Sequence, residues 1–206
     1  MTDVVENASE TTKRRSEILA ASLGVFVRFG FRKASLEEVA RAAGISRQGL
    51  YLHFSSKDVL FRAAVELLLN SSLARAQAAL TEAGTPIEAR LLKAFEGLHG
   101  DYLDATFQTP HRIELMETSG RLVGDLVASQ EAAFQRELAA AIEGSGVAEA
   151  WRATKLTATQ LAQTLSTVAN GVKHRAVPGA SPSRSDYLEQ VRAAICLVCQ
   201  PQRSSS

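Results

Sequence analysis

No run of apolar residues approaches the ~18 that a membrane-spanning helix needs, so no membrane-spanning helix is expected. The first ten residues, Met1 to Glu10, are polar and acidic. They lack the basic-then-apolar order of a secretory signal, and the chain is expected to be cytoplasmic, with no membrane partner. Strand-like alternation is missing, which points to an all-α fold. Catalytic signatures are missing too: there is no G-x-S-x-G elbow, no phosphate loop and no Rossmann glycine pattern. A non-enzyme without cofactors is expected. The nearest approach to a metal site is His111-Arg112-Ile113-Glu114, but two ligands fall short of the four a structural zinc wants, so no metal is assigned. Cysteine is scarce. Cys196 and Cys199 share a face of the last helix, either as small packing residues or as a C-x-x-C redox pair, which normally needs a helix N-terminus to lower the thiol pKa.

What is present is unevenly charged. The whole chain carries only +1, but Thr11 to Arg62 holds ten Lys/Arg against four Asp/Glu. A basic first quarter on a slightly acidic remainder suggests a nucleic-acid module joined to a body with another task. Residues 1–11 and 201–206 read as disordered tails, 12–58 as the first domain and 59–200 as the second. Helical patterning predicts helices at about Lys13–Phe29, Leu36–Ala43, Arg47–His53, Lys57–Leu80 and Ile87–Phe107. It continues with a short helix from Thr109-Pro110 to about Thr118, then Arg121–Ile142, Ala148–His174 and Asp186–Cys199, the last two separated by a loop over 178–185. Gly30 is placed to stop the first helix in a left-handed conformation.

The informative stretch is Ser35 to Phe54, SLEEVARAAGISRQGLYLHF. Ser35 and Glu38 form a capping box. Ala40 lets two short helices cross closely, Gly44 makes the turn, and Ser46 caps the second helix. Val39, Ile45 and Leu50 supply a small shared core. Two short helices about a glycine turn make a helix-turn-helix, and the N-terminal residues of the second helix would face base edges in the major groove. Arg47 can grip guanine through two hydrogen bonds and Gln48 can do the same with adenine, while Gly49 permits close backbone approach. Ser35, Ser46, Tyr51, Leu52, His53 and Lys57 complete the expected DNA contacts, Tyr51, His53 and Lys57 on phosphates. Arg14, Arg15, Arg32 and Lys33 can add to these.

The run from Arg15 to Leu60 resembles the DNA-binding domain of the TetR (tetracycline-repressor) family. The matching marks are Ile18, Ala21, Phe26 and Gly30, then Ser35 to Ala40, Ala43 to Ser46, Leu50-Tyr51, His53-Phe54 and Ser56 to Asp58. Leu52 departs from the pattern, which often has a second aromatic there. The resemblance implies an N-terminal three-helix DNA-binding domain joined to a larger helical effector and dimerisation domain, in a homodimer that binds a pseudo-palindromic operator. It further implies a repressor released from that operator by a small-molecule effector.

By the same resemblance the last two helices pair with their mates in a four-helix bundle. Matching apolar stripes occur at Leu161, Leu165, Val168 and Val172, and at Tyr187, Val191, Ile195 and Val198; the alternative is that they pack within the monomer. An effector pocket should be apolar with a few polar anchors, and His99, Tyr102, Phe107, Met116, Gln130 and Trp151 are the candidates, each of which could equally be core or solvated surface. A competing reading keeps the DNA-binding domain but has the body bind a protein partner, with no small-molecule pocket.

Overall fold

The computed structural model describes the backbone of residues 2–107, 109–174 and 183–200, with side chains over 12–105, 109–174 and 183–200. Among these residues every element is helical: α1 (Thr2–Lys33), α2 (Leu36–Ala42), α3 (Arg47–His53), α4 (Lys57–Leu80), α5 (Ile87–Phe107), α6 (Arg112–Gly144), α7 (Val147–Ala150), a 3₁₀ turn (Arg152–Thr154), α8 (Ala158–His174) and α9 (Arg184–Cys199). No described helix is long and apolar enough to cross a membrane. The chain forms two compact units. The first comprises residues 1–70 and 108–127, the second 71–107 and 128–206. The expected loop over 178–185 falls largely, and the expected tail over 201–206 wholly, outside the described residues.

Three boundaries differ from the sequence expectation. Helix α1 starts at Thr2 and does not end at Gly30; it kinks there (φ 76°, ψ 162°) and runs on to Lys33, with the Ala34 amide donating to the Gly30 carbonyl at 3.1 Å. Gly30 is left-handed as expected, but its role is a bend. A β-carbon at Gly30 would lie 2.5 Å from Glu114 Oε2 and 3.0 Å from the His111 ring, so the bend is also a seat for the start of α6. That helix is continuous, where two were expected. Gly120 and Gly124 each cost about 1 kcal/mol in a helix interior, which buried residues of the same helix such as Leu115, Val123 and Phe134 offset. The third difference lies before α8. Lys155 is left-handed (φ 61°), and a Thr157–Gln160 capping box, with the Gln160 amide donating to Thr157 Oγ1 at 3.2 Å and the Thr157 amide to Gln160 Oε1 at 3.0 Å, starts α8 afresh at Ala158.

The first unit packs Ile18, Phe26, Val39, Leu50, Phe54, Leu60, Phe61 and Leu115 into one core. The Phe26 ring sits 5.7 Å from Phe31 and 5.2 Å from Phe61, and Phe31 and Phe61 are 5.2 Å apart. Polar staples fix α6 to this unit. The Arg32 amide donates to Glu114 at 2.5 Å, Thr109 Oγ1 to the Val27 carbonyl at 2.6 Å, and Arg62 to the Leu122 carbonyl at 2.7 Å and to both Asp125 oxygens. The Arg62 hydrogen bonds hold the Asp125 carboxyl down to about 2.

The second unit packs α9 against α5 and α8 around Leu91, Phe95, Phe134, Leu138, Ile142, Leu161, Leu165, Tyr187, Val191 and Ile195. This corrects the expected dimer surface. Leu161, Leu165, Val172, Tyr187, Val191, Ile195 and Val198 are all buried within the single chain, and Val168 packs against the same core. An apolar stripe on a helix must cover something, and here it covers its own unit. The outward faces are mixed: they include Gln163, Thr164, Thr167 and Gly171 on α8, and Glu189, Arg192, Ala193, Cys196 and Leu197 on α9. Cys196 is exposed; Cys199 is half-buried, and burial pushes its thiol up to about 11, the opposite of an activated redox cysteine.

Candidate nucleic-acid interface

Helices α2 and α3 are built by short-range chemistry. Ser35 Oγ accepts from the Glu38 amide at 3.2 Å, and the Glu38 carboxylate accepts from the Ser35 amide at 2.8 Å; that backbone bond holds the Glu38 carboxyl below its ordinary value. At the other end of α2 the Ile45 amide donates to the Ala40 carbonyl at 3.0 Å and the Gly44 amide to that of Arg41 at 3.1 Å. Those two bonds, with Gly44 left-handed (φ 64°), are a Schellman closure, and Ile45 lands against the core. Ser46 then caps α3 by accepting from the Gly49 amide at 3.0 Å. A β-carbon on Gly49 would sit 3.3 Å from that serine oxygen, so the cap and the glycine belong together.

Leu50 and Phe54 anchor α3 in the core, at 0% and 1% exposure. From the rest of α3, Arg47 and Gln48 are exposed, Tyr51 is 44% exposed and Leu52 is 87% exposed, while His53 is half-buried. Arg47 Nη2 donates to Tyr51 Oη at 3.4 Å, with its guanidinium 5.7 Å from the ring centre, so the two side chains form one row on the helix. Helix α1 grips both ends of this arrangement. Arg14 donates to the Gly44 carbonyl at 3.1 Å; Arg15 donates to the His53 carbonyl at 3.5 Å and lies 4.5 Å over the Phe54 ring. These two arginines, expected as ligands for phosphate, thus hold the turn and the end of α3.

Lys57 departs most from expectation. Its ammonium donates to the carbonyls of Phe31, Arg32 and Ala34 at 2.8, 3.2 and 3.1 Å, which uses all three donors, and it lies 4.7 Å from the Phe31 ring. It closes the C-terminal end of α1. Lys57→Ala is therefore expected to lower the urea-unfolding stability by about 1 kcal/mol, the cost of losing hydrogen bonds to part-buried and exposed acceptors, and to leave the salt dependence of DNA binding nearly unchanged. A salt slope shallower by about one would show that the ammonium leaves these carbonyls for a phosphate.

The profile described as "Bacterial regulatory proteins, tetR family" matches residues 18–64, the segment just described. Residues 18–64 are thus similar to the TetR-family helix-turn-helix domain. The uncharacterized HTH-type transcriptional regulator YfiR of Bacillus subtilis is 43% identical over 61 residues, 30% of each chain. The HTH-type transcriptional regulator RutR of Escherichia coli is 35% identical over 34% of this chain and 37% of that one. The TetR-type match thus spans about a third of the length of these curated relatives. Over nearly the whole chain the fold is similar to solved structures. A putative TetR-family regulator from Rhodococcus sp. has a TM-score of 0.59 at 26% identity, covering 91% of this chain and 99% of that one. A transcriptional regulator from Rhodococcus sp. Rha1 has a TM-score of 0.67 at 22% identity, covering 90% and 96%.

The rest of the chain holds the remaining candidates, and only some come together. His99 on α5 is buried, its Nδ1 2.6 Å from Tyr187 Oη on α9 and its Nε2 3.2 Å from Lys173 Nζ on α8. A charged lysine only donates, so Nε2 accepts and the ring hydrogen sits on Nδ1, donating to Tyr187. Tyr102 joins them: Lys173 Nζ lies 5.6 Å from its ring centre and the His174 ring 6.4 Å away. Burial, with the charges of Lys173 and His174, pushes the His99 imidazole well below its ordinary value. Burial also brings the Lys173 ammonium down to about 8, against the pull of Glu131, and raises the Tyr187 phenol.

Gln130 adjoins Glu131, whose carboxylate accepts from Asn170 on α8 at 2.5 Å. Trp151 is instead a tie, its indole donating to the Val198 carbonyl at 2.7 Å. Met116 falls in the first unit, and the Phe107 side chain lies outside the described residues. His111 Nδ1 and Glu114 Oε2 are 3.9 Å apart, and no group of three metal-ligating side chains occurs among the described residues. Sequence reasoning missed Lys173 and Ser166. The signal was there: Ala162, Ser166, Ala169 and Lys173 recur at helical spacing, and the first three are buried, which puts the lysine on the inward row.

Proposed function

We propose that this chain is a DNA-binding transcriptional regulator that holds a palindromic operator as a homodimer and is released from it, as a repressor, by a small molecule bound in the second unit. The observation that carries the DNA-binding part is the division of α3: Leu50 fully buried, with Arg47, Gln48, Tyr51 and Leu52 all left to solvent. A helix anchored on one side with guanine- and adenine-reading side chains on the other is suited to the major groove. With the apolar stripes of α8 and α9 used internally, the partner copy would meet their outer faces, where Leu197 is 73% exposed.

Release by a small molecule is supported by the polar cluster of His99, Tyr102 and Lys173. It is supported also by Ser166 Oγ, which is buried without a hydrogen-bond partner among the described residues. Polar groups in an apolar body are costly to keep, and a ligand that they anchor gives a reason to keep them. To act, it must bind the form with wrongly spaced heads more tightly than the operator-competent form.

The test starts from a duplex selected out of a random-sequence library by the purified full chain. Arg47→Ala and Gln48→Ala are each expected to weaken binding to that duplex by about 1–3 kcal/mol and to relax base preference at one position per half-site. Unchanged preference in both variants would remove α3 from the readout. A broad panel of small molecules is then screened for release of the duplex; if none changes its affinity, control by an effector loses its support.

A further inference from the structure

Leu52 is the most exposed large apolar side chain among the described residues. Two positions earlier on the same helix Leu50 is fully buried, so the core was within reach of α3 and Leu52 is turned away from it. A leucine left in water gains none of the stabilisation that burial of such a side chain gives. Its neighbours are not those of an apolar patch either. Gln48, one helical turn before it, is exposed, and Arg47 and Tyr51 are paired on the adjacent row. The surrounding segment from Thr11 to Arg62 is strongly basic, which suits a polyanion. A leucine has no donor or acceptor for a phosphate, and in the major groove the apolar mark on a base edge is the C5-methyl group of thymine.

We propose that Leu52 reads a thymine methyl in each operator half-site and so sets base preference at a position that no polar side chain of α3 specifies. This rests on the DNA-binding reading above and deepens it. Four residues of helix rise about 6 Å, close to two base-pair steps of about 3.4 Å. Gln48 and Leu52 therefore report on base pairs about two steps apart, an adenine for the amide and a thymine for the leucine.

The experiment uses the selected duplex and replaces each thymine in turn with deoxyuridine, which removes only the methyl group. Binding of the full chain is expected to fall about fourfold at one thymine per half-site, the factor for one buried methyl. Leu52→Ala, whose folding is checked by circular dichroism, should bind thymine and uracil duplexes alike at that position and select any base there. If no thymine is uracil-sensitive, or the sensitivity persists unchanged in Leu52→Ala, the leucine packs on sugar or phosphate and the proposal is overturned while DNA binding stands. If no duplex is enriched from the library at all, the DNA-binding reading falls and this one with it.

Discussion

Phe26→Ala is expected to cost about 3–5 kcal/mol of unfolding free energy, the range for removing a fully buried aromatic ring. Phe26 is 1% exposed and stands between Phe31, beyond the Gly30 bend, and Phe61 on α4. Phe26 and Phe31 are the two rings that α1 contributes to a three-ring cluster, and their edge-on pairs with Phe61 add stabilisation beyond the area they bury. The neighbours can do little to fill the gap. Phe31 is held by the bend and by the Lys57 ammonium above its ring, and Phe61 lies on a helix pinned at Arg62 to Asp125 and Leu122. The measurement is urea unfolding of the full chain followed by circular dichroism. The same variant should hold the α3 end of the unit less rigidly and bind the selected duplex more weakly at all sequences, without a change of base preference. A cost below about 1 kcal/mol would mean that the three rings do not pack as described, and altered base preference would assign Phe26 to the readout and not to its support.

The parts of this molecule that were legible in the sequence are those made by local contacts. Ser35 with Glu38, Gly44 with Ile45, and Ser46 before Arg47 each fix a few residues of backbone through side-chain and amide bonds three to five positions apart. The order of residue types therefore carries the structure. The Thr157–Gln160 box is equally local, and it starts α8 afresh where periodicity alone predicts one uninterrupted helix from Ala148. Long-range choices were not legible. The stripe of Leu161, Leu165 and Val172 shows that a face is buried, but periodicity is silent on whether the cover is α9 of the same chain or a second copy. Lys57 shows the same limit for charge: a lysine next to a reading helix suits a phosphate, yet the open carbonyls at the end of α1 take it first. His99 and Tyr102 could be paired from sequence because they share a helix. Lys173 and Tyr187 reach them across 74 and 88 residues, a separation over which no spacing rule operates.

That long-range cluster sets the second large expectation, a dependence of the second unit's stability on pH at both ends of the neutral range. A histidine whose imidazole is held below its ordinary value binds no proton in the folded chain but gains one when unfolded. Stability must then fall as pH drops through about 6.5. Between pH 7 and pH 5 stability is expected to fall as the unfolded chain takes up the His99 proton, by at most about 2 kcal/mol, and Asp125 and Glu38, held low in the fold, contribute only below the ordinary carboxyl range. On the alkaline side the sign is unusual for a lysine. With its folded value at about 8, Lys173 is neutral in the fold while the unfolded chain still carries the proton, so stability rises with pH from about 8 upward. From pH 7.5 to pH 9 the gain is about 1 kcal/mol. Above that the Cys199 thiol and then the Tyr187 phenol, both held up by burial, ionise more readily in the unfolded chain and reverse the trend. Trp151 is the single tryptophan and belongs to the second unit, so its fluorescence during urea unfolding follows the relevant transition. Lys173→Met should flatten the alkaline limb and His99→Gln the acid one. A Lys173→Met chain that still gains stability toward pH 9 would mean that the ammonium stays charged in the folded body, held by Glu131 rather than by the imidazole.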